Sequence, residues 1–226
     1  MESRTCTASE EAFLRLSTIL DTLRKECPWD RVQTMKSLRY LTIEEVHELS
    51  EAITALDAGE ETATGDLKKE LGDVAMHILF YCKLAEEQGL FTTADVYNTI
   101  CDKLISRHPF IYHKDEYHGE SWEQLKMREG RKDVLEGVPE SLPSLIKAVR
   151  MQEKVAGMRK DKKEPVAPMP KGTWQPADDT TEAEFGDLLF ALIDWARRHG
   201  INADDALCGA NLRFRKSQTT SDQVSS

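Results

Sequence analysis

The chain has 226 residues, of which 40% are hydrophobic and 31% are charged, which is enough apolar material for a packed core and excludes a disordered chain. Its formal charge is −10, from 30 basic and 40 acidic residues. This balance argues against binding to duplex nucleic acid, where neutralisation of phosphates supplies most of the affinity. Small anionic ligands held through a divalent metal stay possible.

The cysteine content and the apolar stretches indicate a cytoplasmic protein. The number of cysteines is odd and no CxxC pair occurs, so we expect reduced thiols rather than a disulfide framework or a zinc ribbon. The N-terminus has no basic segment followed by an apolar run, and no apolar stretch is long enough to span a bilayer. We therefore expect neither a signal peptide nor a membrane partner.

Apolar residues recur at helical spacing along the chain, and no alternation typical of strands accompanies them, so the sequence predicts an all-α fold. Thr42 has the character of an N-cap for the second helix, and Asp66 of a cap for the third. Gly59 and Gly89 are expected to end these two helices. We predict helices at approximately 9–27, 43–58, 66–88, 92–107, 121–133, 142–158, 180–199 and 202–216.

The breaks between these helices suggest the domain organisation. Gly137, Pro139 and Pro143 interrupt the helical pattern, and the sequence predicts a domain boundary there. A second break, at 159–179, is charged and then rich in proline, and it reads as a long loop. We expect domains at 1–136 and 137–216, followed by a polar, disordered tail at 217–226.

The second and third predicted helices carry a cluster of acids. Glu45 and Glu48 are three residues apart, as are Glu70 and Asp73, so each pair projects from one face of its helix. Because a short connection makes the two helices antiparallel neighbours, the four carboxylates are expected to converge. Oxygen ligands of this kind suit Mg²⁺, with Mn²⁺ also possible.

Two other interpretations of these acids stay open at this point. The acids could lie on ordinary solvated helix faces, because glutamate is a strong helix former. The chain would then be a non-catalytic helical interaction module. A di-iron bundle is the second possibility, since Glu44-x-x-His47 fits its Glu-x-x-His element. That architecture requires a second such element, and we find none on a predicted helix.

Several segments, taken in order, closely resemble the MazG family of nucleoside triphosphate pyrophosphohydrolases. They are CPWDRVQTMKSL, EEVHE, ELGD, DKLISRHPFIY, SWEQLKMREGR, SLPSLIKAVRMQEK, EFGDLLFALIDWARRHG and ANLRFRK. The resemblance implies an all-α enzyme of four-helix-bundle type that depends on Mg²⁺ and is usually a homodimer. It implies hydrolysis of a nucleoside triphosphate to the monophosphate and pyrophosphate. A dUTPase-like or phosphoribosyl-ATP type of pyrophosphohydrolase is the alternative within the same enzyme class.

The resemblance also assigns roles to individual residues. It implies catalytic residues on the second helix, with Glu44 orienting or deprotonating the attacking water and the two following acids, Glu45 and Glu48, at the reaction centre. The metal ligands that it implies are Glu45, Glu48, Glu70 and Asp73. The nucleotide-binding residues that it implies are Lys103, Arg107, Trp122 and Arg39, the last of these at the site entrance together with Trp29.

The sequence departs from the family pattern in two places. The segment before the acidic helix reads SLRYL, without the usual proline, which predicts a change in how that helix begins. The second half repeats the acidic pair as Glu184 and Asp187, but a proline-rich segment replaces the helix that should supply EExxE. We therefore expect a degenerate second repeat in which this acidic pair has a structural role.

Overall fold

The structure is a computed structural model that describes residues 7–120, 122, 125, 133–159, 164–167, 169 and 177–222. These residues form α-helices and short 3₁₀ turns without any strand, which confirms the predicted all-α fold. The α-helices of this part of the chain are α1 Ala8–Glu26, α2 Met35–Asp57, α3 Ala63–Glu87, α4 Thr93–Arg107, α5 Pro109–Tyr112, α6 Ser144–Met158, α7 Glu182–Arg198 and α8 Ala203–Asp222.

The chain forms two compact units, which divide between Ile105 and Ser106. We call Met1–Ile105 the first unit and Ser106–Ser226 the second unit. The division lies near the end of α4. Gly137, where a boundary between two sequence halves is predicted, has a φ of 81° and lies within the second unit. The two sequence halves stay a prediction.

The core of the first unit lies between α1, α2 and α3. Its buried side chains are Leu20, Leu38, Leu79, Phe80 and Leu84. They come from all three helices, so α1 covers one side of the hairpin that α2 and α3 form. Burial of apolar side chains at about 1.5–3 kcal/mol each is the main stabilising contribution to this packing.

The helix that carries the first acids begins earlier than predicted. Thr34, rather than Thr42, is the N-cap of α2, and Thr34 and Ser37 exchange hydrogen bonds between side chain and backbone N–H in a capping box. Thr42 lies inside the helix, where its hydroxyl donates to the carbonyl of Leu38. The predicted cap was wrong because this hydroxyl bonds to the preceding turn of α2 and to side chains of α3. The SLRYL segment, without proline, continues the helix unbroken.

A glycine follows the end of each helix of the hairpin, as predicted. Gly59 and Gly89 adopt φ values of 78° and 65°, in the left-handed region where a side chain is strained. Both helices therefore end where the sequence indicated. The start of α3 differs, because the helix begins at Ala63 and Asp66 lies inside its first turn. A carboxylate in that position favours the helix through the macrodipole rather than as a cap.

The loop between α1 and α2 is held by Arg24. Its guanidinium donates to the backbone carbonyls of Asp30 and Gln33 and forms a two-pronged ion pair with Glu87 of α3. Only 18% of the Arg24 side chain is exposed, against 45% of the Glu87 side chain, and the paired donors make the contact directional. Trp29, in the same loop, is half exposed.

The second unit contains α6, α7 and α8, with buried polar groups that tie loops to helices. Asp194 of α7 is fully buried, pairs with Arg197 and Arg198, and accepts hydrogen bonds from the N–H groups of Val166 and Ala167. The chain just before Gly137 is held to α6 in a similar way. The ammonium of Lys154 donates to the carbonyls of two residues in that segment, Val134 and Glu136.

The remaining predictions for the second half have mixed outcomes. Most of the helix predicted at 121–133 lies outside the described residues, of which Trp122 and Leu125 are helical. The described parts of 159–179 contain no helix, as the prolines predicted. The last helix continues to Asp222, past the residue where the disordered tail was expected to begin, and residues 223–226 lie outside the description. Among the described residues, no helix is both long and apolar enough to cross a lipid bilayer.

Candidate metal centre

The antiparallel pairing of α2 and α3 brings three predicted acids together. Glu45 lies on α2, while Glu70 and Asp73 lie one turn apart on α3. Each of the three offers an oxygen, and these oxygens all lie within 4.8 Å of one another. We call these three residues the carboxylate cluster. Two helices therefore supply three converging carboxylates, one fewer than the four that the spacing of the acids predicted.

The electrostatics of the carboxylate cluster are unfavourable without a counter-ion. Burial raises the pKa of Glu45, and the nearby charges of Asp73, Glu48, Glu70 and Glu44 raise it further. Glu70 is only 6% exposed, and its Oε2 is buried without a hydrogen-bond partner. A buried carboxylate oxygen without a donor is costly.

Lys69 supplies part of the missing positive charge. Its ammonium lies 2.8 Å from Oε1 of Glu70, while the lysine side chain itself is 68% exposed. The hydrogen bond to Glu70 and the charges of Glu70, Asp73 and Glu48 raise the pKa of Lys69. The contact leaves Oε2 of Glu70 unsatisfied. A single lysine at the rim therefore does not complete the site.

These residues fit a hard divalent cation. The donor set consists of carboxylate oxygens, which Mg²⁺ and Mn²⁺ prefer, and neither a thiolate nor an imidazole belongs to the carboxylate cluster. A cation among the three acids would satisfy the orphaned oxygen of Glu70 and offset the repulsion that raises the pKa of Glu45.

The other predicted acids of α2 are close to this cluster without joining it. Glu48 is exposed and lies outside the set of oxygens within 4.8 Å, although its charge acts on Glu45 and Lys69. Glu44 is also exposed and acts on Glu45 through its charge. His47, the partner that a di-iron element would need, is exposed and is absent from the cluster.

The predicted nucleotide-binding residues are divided between the two units. Arg39 and Lys103 belong to the first unit, and both are exposed. Arg107 and Trp122 belong to the second unit, where the guanidinium lies 5.8 Å from the centre of the indole ring. Arg107 is 9% exposed and Trp122 is 42% exposed, so the tryptophan is partly accessible to solvent while the arginine is largely buried.

The repeated acidic pair of the second unit does not form a comparable cluster. The carboxylate of Glu184 accepts hydrogen bonds from the N–H and the hydroxyl of Thr181, in the capping box that begins α7. These two hydrogen bonds lower the pKa of Glu184. Asp187 is exposed. Within the described part of the chain, neither acid belongs to a group of potential metal ligands.

Sequence analysis missed several residues beside the carboxylate cluster. Lys69 was overlooked because neighbours in sequence do not face each other on a helix, so its contact with Glu70 depends on side-chain conformation. Thr42 was interpreted as a cap, although it bonds to His77 and Tyr81 across the hairpin. A usable signal existed, since Asp73, His77 and Tyr81 recur at four-residue spacing and share one helix face.

The all-α fold and the carboxylate cluster define a class of helical proteins with an acidic site whose ligands suit a metal ion. Comparison with known proteins gives the particular family. The sequence profile described as the MazG nucleotide pyrophosphohydrolase domain matches residues 33–112, which include α2, α3 and all three acids of the cluster.

Related proteins match most of the chain. A nucleoside triphosphate pyrophosphohydrolase of Escherichia coli strain K12 is 33% identical, with 89% of this chain and 84% of the relative covered. The protein named nucleoside triphosphate pyrophosphohydrolase/pyrophosphatase MazG of Thermotoga maritima is 35% identical, with coverages of 89% and 82%. A nucleoside triphosphate pyrophosphohydrolase of Mycobacterium tuberculosis is 34% identical over 62% of this chain and 44% of its own length. The chain belongs to the MazG nucleotide pyrophosphohydrolase family and is an enzyme of the hydrolase class.

Proposed function

We propose that the chain hydrolyses nucleoside triphosphates to the monophosphate and pyrophosphate, with Mg²⁺ as the required ion and Mn²⁺ as a substitute. The observation that supports this most directly is the carboxylate cluster, with oxygens within 4.8 Å of one another and a buried, unpartnered oxygen on Glu70. Relatives that bear the name nucleoside triphosphate pyrophosphohydrolase and cover most of the chain support the substrate class.

In this proposal Glu45, Glu70 and Asp73 hold the cation, and Glu48 joins them from the next turn of α2. A bound divalent cation supplies positive charge to phosphate oxygens and makes water more acidic. Glu44, exposed beside Glu45, orients the attacking water or accepts its proton. A bond forms between the water oxygen and the α-phosphorus, the bond from that phosphorus to the bridging oxygen breaks, and pyrophosphate leaves.

Basic and aromatic residues bind the nucleotide in this proposal. Lys103 and Arg107 contact phosphate oxygens, for which charge-assisted hydrogen bonds are well suited. Trp122 has an exposed ring surface on which a base stacks, and Arg39 lines the site entrance. The α4 segment that carries Lys103 and Arg107 lies within the region that the family profile matches.

We also propose that residues 1–136 form the catalytic half and that residues 137–216 form a degenerate repeat. The family profile matches only residues 33–112, and in the acidic pair of the second half the carboxylate of Glu184 is bound in the capping box of Thr181. Both observations support one site per chain. The second half then has a structural role.

Homodimer formation is part of the same proposal. Ile43, Val46 and Leu71 flank the acids of α2 and α3 and are each about half exposed. A second copy would remove these apolar side chains from water, which is a favourable process. Sedimentation analysis tests this, since Val46→Asp is expected to yield monomers if this face is the interface. A dimeric Val46→Asp variant would contradict it.

We place the enzyme in the cytoplasm without membrane or duplex nucleic acid partners. Cys27, Cys82, Cys101 and Cys208 are free thiols, as expected in a reducing compartment. The net charge of −10 disfavours duplex binding.

The reaction is tested by following pyrophosphate release from a panel of ribo- and deoxyribonucleoside triphosphates with Mg²⁺, with Mn²⁺ and with EDTA. We expect release with either metal and none in EDTA. Hydrolysis in ¹⁸O-water then identifies the phosphorus that is attacked, with the label expected in the monophosphate. Activity that persists in EDTA, or label found in pyrophosphate, would contradict the proposal.

A further inference from the structure

A polar contact joins α2 to α3 one helical turn from the carboxylate cluster. The hydroxyl oxygen of Thr42 lies 2.8 Å from Nδ1 of His77 and 2.7 Å from the hydroxyl of Tyr81. The same oxygen lies 3.0 Å from the backbone carbonyl of Leu38. His77 is only 5% exposed, and Thr42 and Tyr81 are half-buried. One hydroxyl on α2 therefore has two partners on α3.

The direction of each hydrogen bond follows from counting protons. A threonine hydroxyl has one proton to donate and two lone pairs that accept. The carbonyl of Leu38 can only accept, so the threonine proton is used there. Nδ1 of His77 and the hydroxyl of Tyr81 must then donate to the threonine oxygen. All three bonds of Thr42 are satisfied in this arrangement and in no other.

The same count places a proton on Nδ1 of His77. Burial lowers the pKa of this histidine, an effect that the charge of Asp73 opposes without cancelling. The lowered pKa favours the neutral ring, in which Nε2 is unprotonated. The hydrogen bond that Nδ1 donates to the hydroxyl of Thr42 thus determines which ring nitrogen of His77 carries the proton.

The position of this contact relates it to the carboxylate cluster. Thr42 precedes Glu45 by three residues on α2, and His77 follows Asp73 by four residues on α3, so each is one turn from an acid on its own helix. The contact therefore fixes the rotation and the axial position of one helix against the other at that level. The distance across the hairpin between Glu45 and the acids of α3 depends on both.

We propose that Thr42, His77 and Tyr81 form a positioning network that holds the carboxylate cluster at the spacing a divalent cation needs. The network opposes the repulsion among the three acids, which would otherwise separate the helices when no cation is bound. The inference rests on the proposed function only in taking a divalent cation as the ligand. None of the three network residues needs to touch the cation or the nucleotide.

The first test measures the dissociation constant for Mn²⁺ of the full-length protein by electron paramagnetic resonance. Thr42→Val keeps the shape of the side chain and removes the hydroxyl, and we expect Mn²⁺ to bind about 10-fold or more weakly, as when outer-shell partners of metal ligands are lost. Thr42→Ser retains the hydroxyl and is expected to bind as the wild type does.

The chain offers a matched control on the same helix. The hydroxyl of Thr54 donates to the carbonyl of Ser50, the same bond to the preceding turn that Thr42 makes, but Thr54 is exposed. Thr54→Val should leave Mn²⁺ binding unchanged. An equal loss in Thr54→Val and Thr42→Val would assign the effect to the helix rather than to the network, and would overturn the inference.

A second measurement needs no variant. Nitrogen-15 NMR of the wild-type protein distinguishes a protonated from an unprotonated ring nitrogen, and we expect His77 with its proton on Nδ1. If circular dichroism shows that Thr42→Val does not fold, Tyr81→Phe, which removes a single oxygen, replaces it in the binding experiment. Wild-type Mn²⁺ affinity in the folded variant, or an Nδ1 without a proton, would overturn the network. A wild-type protein that binds no Mn²⁺ would instead overturn the proposed function, and the network's role with it.

Discussion

Lys69 and Glu70, neighbours on α3, form a 2.8 Å ion pair in which the lysine is exposed and the acid is buried. The ammonium reaches Oε1 and leaves Oε2 without a partner. Lysine therefore compensates part of the cluster's negative charge from the solvent side. A divalent cation that binds there meets a positive charge at the rim.

The first prediction follows from that charge. Lys69→Met is expected to strengthen Mn²⁺ binding about threefold at low ionic strength, because the repulsion between the ammonium and the cation is removed. The gain should shrink as salt is added, since the screening length falls to about 8 Å at physiological ionic strength. Titration calorimetry at two salt concentrations measures both effects.

The control for this change is Lys68→Met, an exposed lysine outside the ion pairs of the cluster, which should have a smaller effect. Weaker Mn²⁺ binding in Lys69→Met would mean that the lysine is needed to hold Glu70 in place, contrary to the prediction.

The second prediction is that Asp73→Asn raises the stability of the metal-free protein and lowers its activity. Asp73→Asn removes one charge from three converging carboxylates, so the metal-free protein should melt at a higher temperature in EDTA. Hydrolysis should fall by at least about 100-fold, because loss of a ligand is more severe than loss of an outer-shell partner. Differential scanning calorimetry and pyrophosphate release measure the two effects.

Asp66→Asn serves as the matched variant, since it changes an exposed acid in the first turn of the same helix. It should lower stability slightly, through the helix dipole, and leave hydrolysis unchanged. An Asp73→Asn protein less stable than the wild type in EDTA would show that the acids do not repel one another as inferred.

The carboxylate cluster could be predicted from sequence because it depends on local periodicity and one short connection. Two acids three apart on α3 share a face, and the turn at Gly59 folds α2 back alongside it. The start of α2 could not be predicted in the same way. Threonine is a common N-cap residue, so Thr42 was an acceptable prediction for the start of α2. Only the three-dimensional structure shows that its hydroxyl contacts His77 on α3 instead.

The second unit shows the same limit on prediction from residue spacing. Glu184 and Asp187 have the spacing of Glu70 and Asp73, yet the carboxylate of Glu184 is bound in a capping box because the N-cap Thr181 precedes it by three residues. The burial of Arg107, four residues after the exposed Lys103, likewise depends on packing and not on spacing.

The third prediction concerns acid stability and Asp194. Burial raises the pKa of this carboxyl. The net effect is nevertheless a pKa below the usual value, because the carboxyl accepts hydrogen bonds from Arg197 and from the N–H groups of Ala167 and Val166 and lies beside the charge of Arg197. A lowered pKa in the folded state means that this stabilisation is present above the ordinary aspartate pKa and is lost as the pH falls through the lowered value. Asp194→Asn should therefore destabilise the protein at pH 7 by about 3 kcal/mol and reduce the loss of stability on acidification.

Urea unfolding at a series of pH values measures this effect. Glu153→Gln is the control, since it breaks the exposed ion pair with Arg150 on α6 and should change stability by less than about 0.5 kcal/mol. If the free energy of unfolding of Asp194→Asn falls with acid as steeply as that of the wild type, another carboxyl is responsible for the acid sensitivity.

The fourth prediction separates the two acidic pairs. Asp187 is exposed, and the carboxylate of Glu184 is already occupied by the N–H and the hydroxyl of Thr181. A hard cation prefers about six oxygen ligands, which this pair cannot approach. Asp187→Ala should therefore leave both hydrolysis and Mn²⁺ stoichiometry at wild-type values. Thr181→Ala should lower stability by about 1 kcal/mol, as the loss of an N-cap does, again without a change in rate.

Chemical unfolding, pyrophosphate release and Mn²⁺ titration on the same two variants decide the matter. Asp73→Asn provides the contrast, because the same ExxD spacing on α3 is part of three converging carboxylates rather than of a helix cap. The two pairs therefore differ in the residues around them. Glu45 of α2 joins Glu70 and Asp73, whereas Glu184 and Asp187 follow the capping residue Thr181. A large loss of rate in a folded Asp187→Ala protein, or one fewer Mn²⁺ bound per chain, would place a working site in the second unit and contradict its structural role.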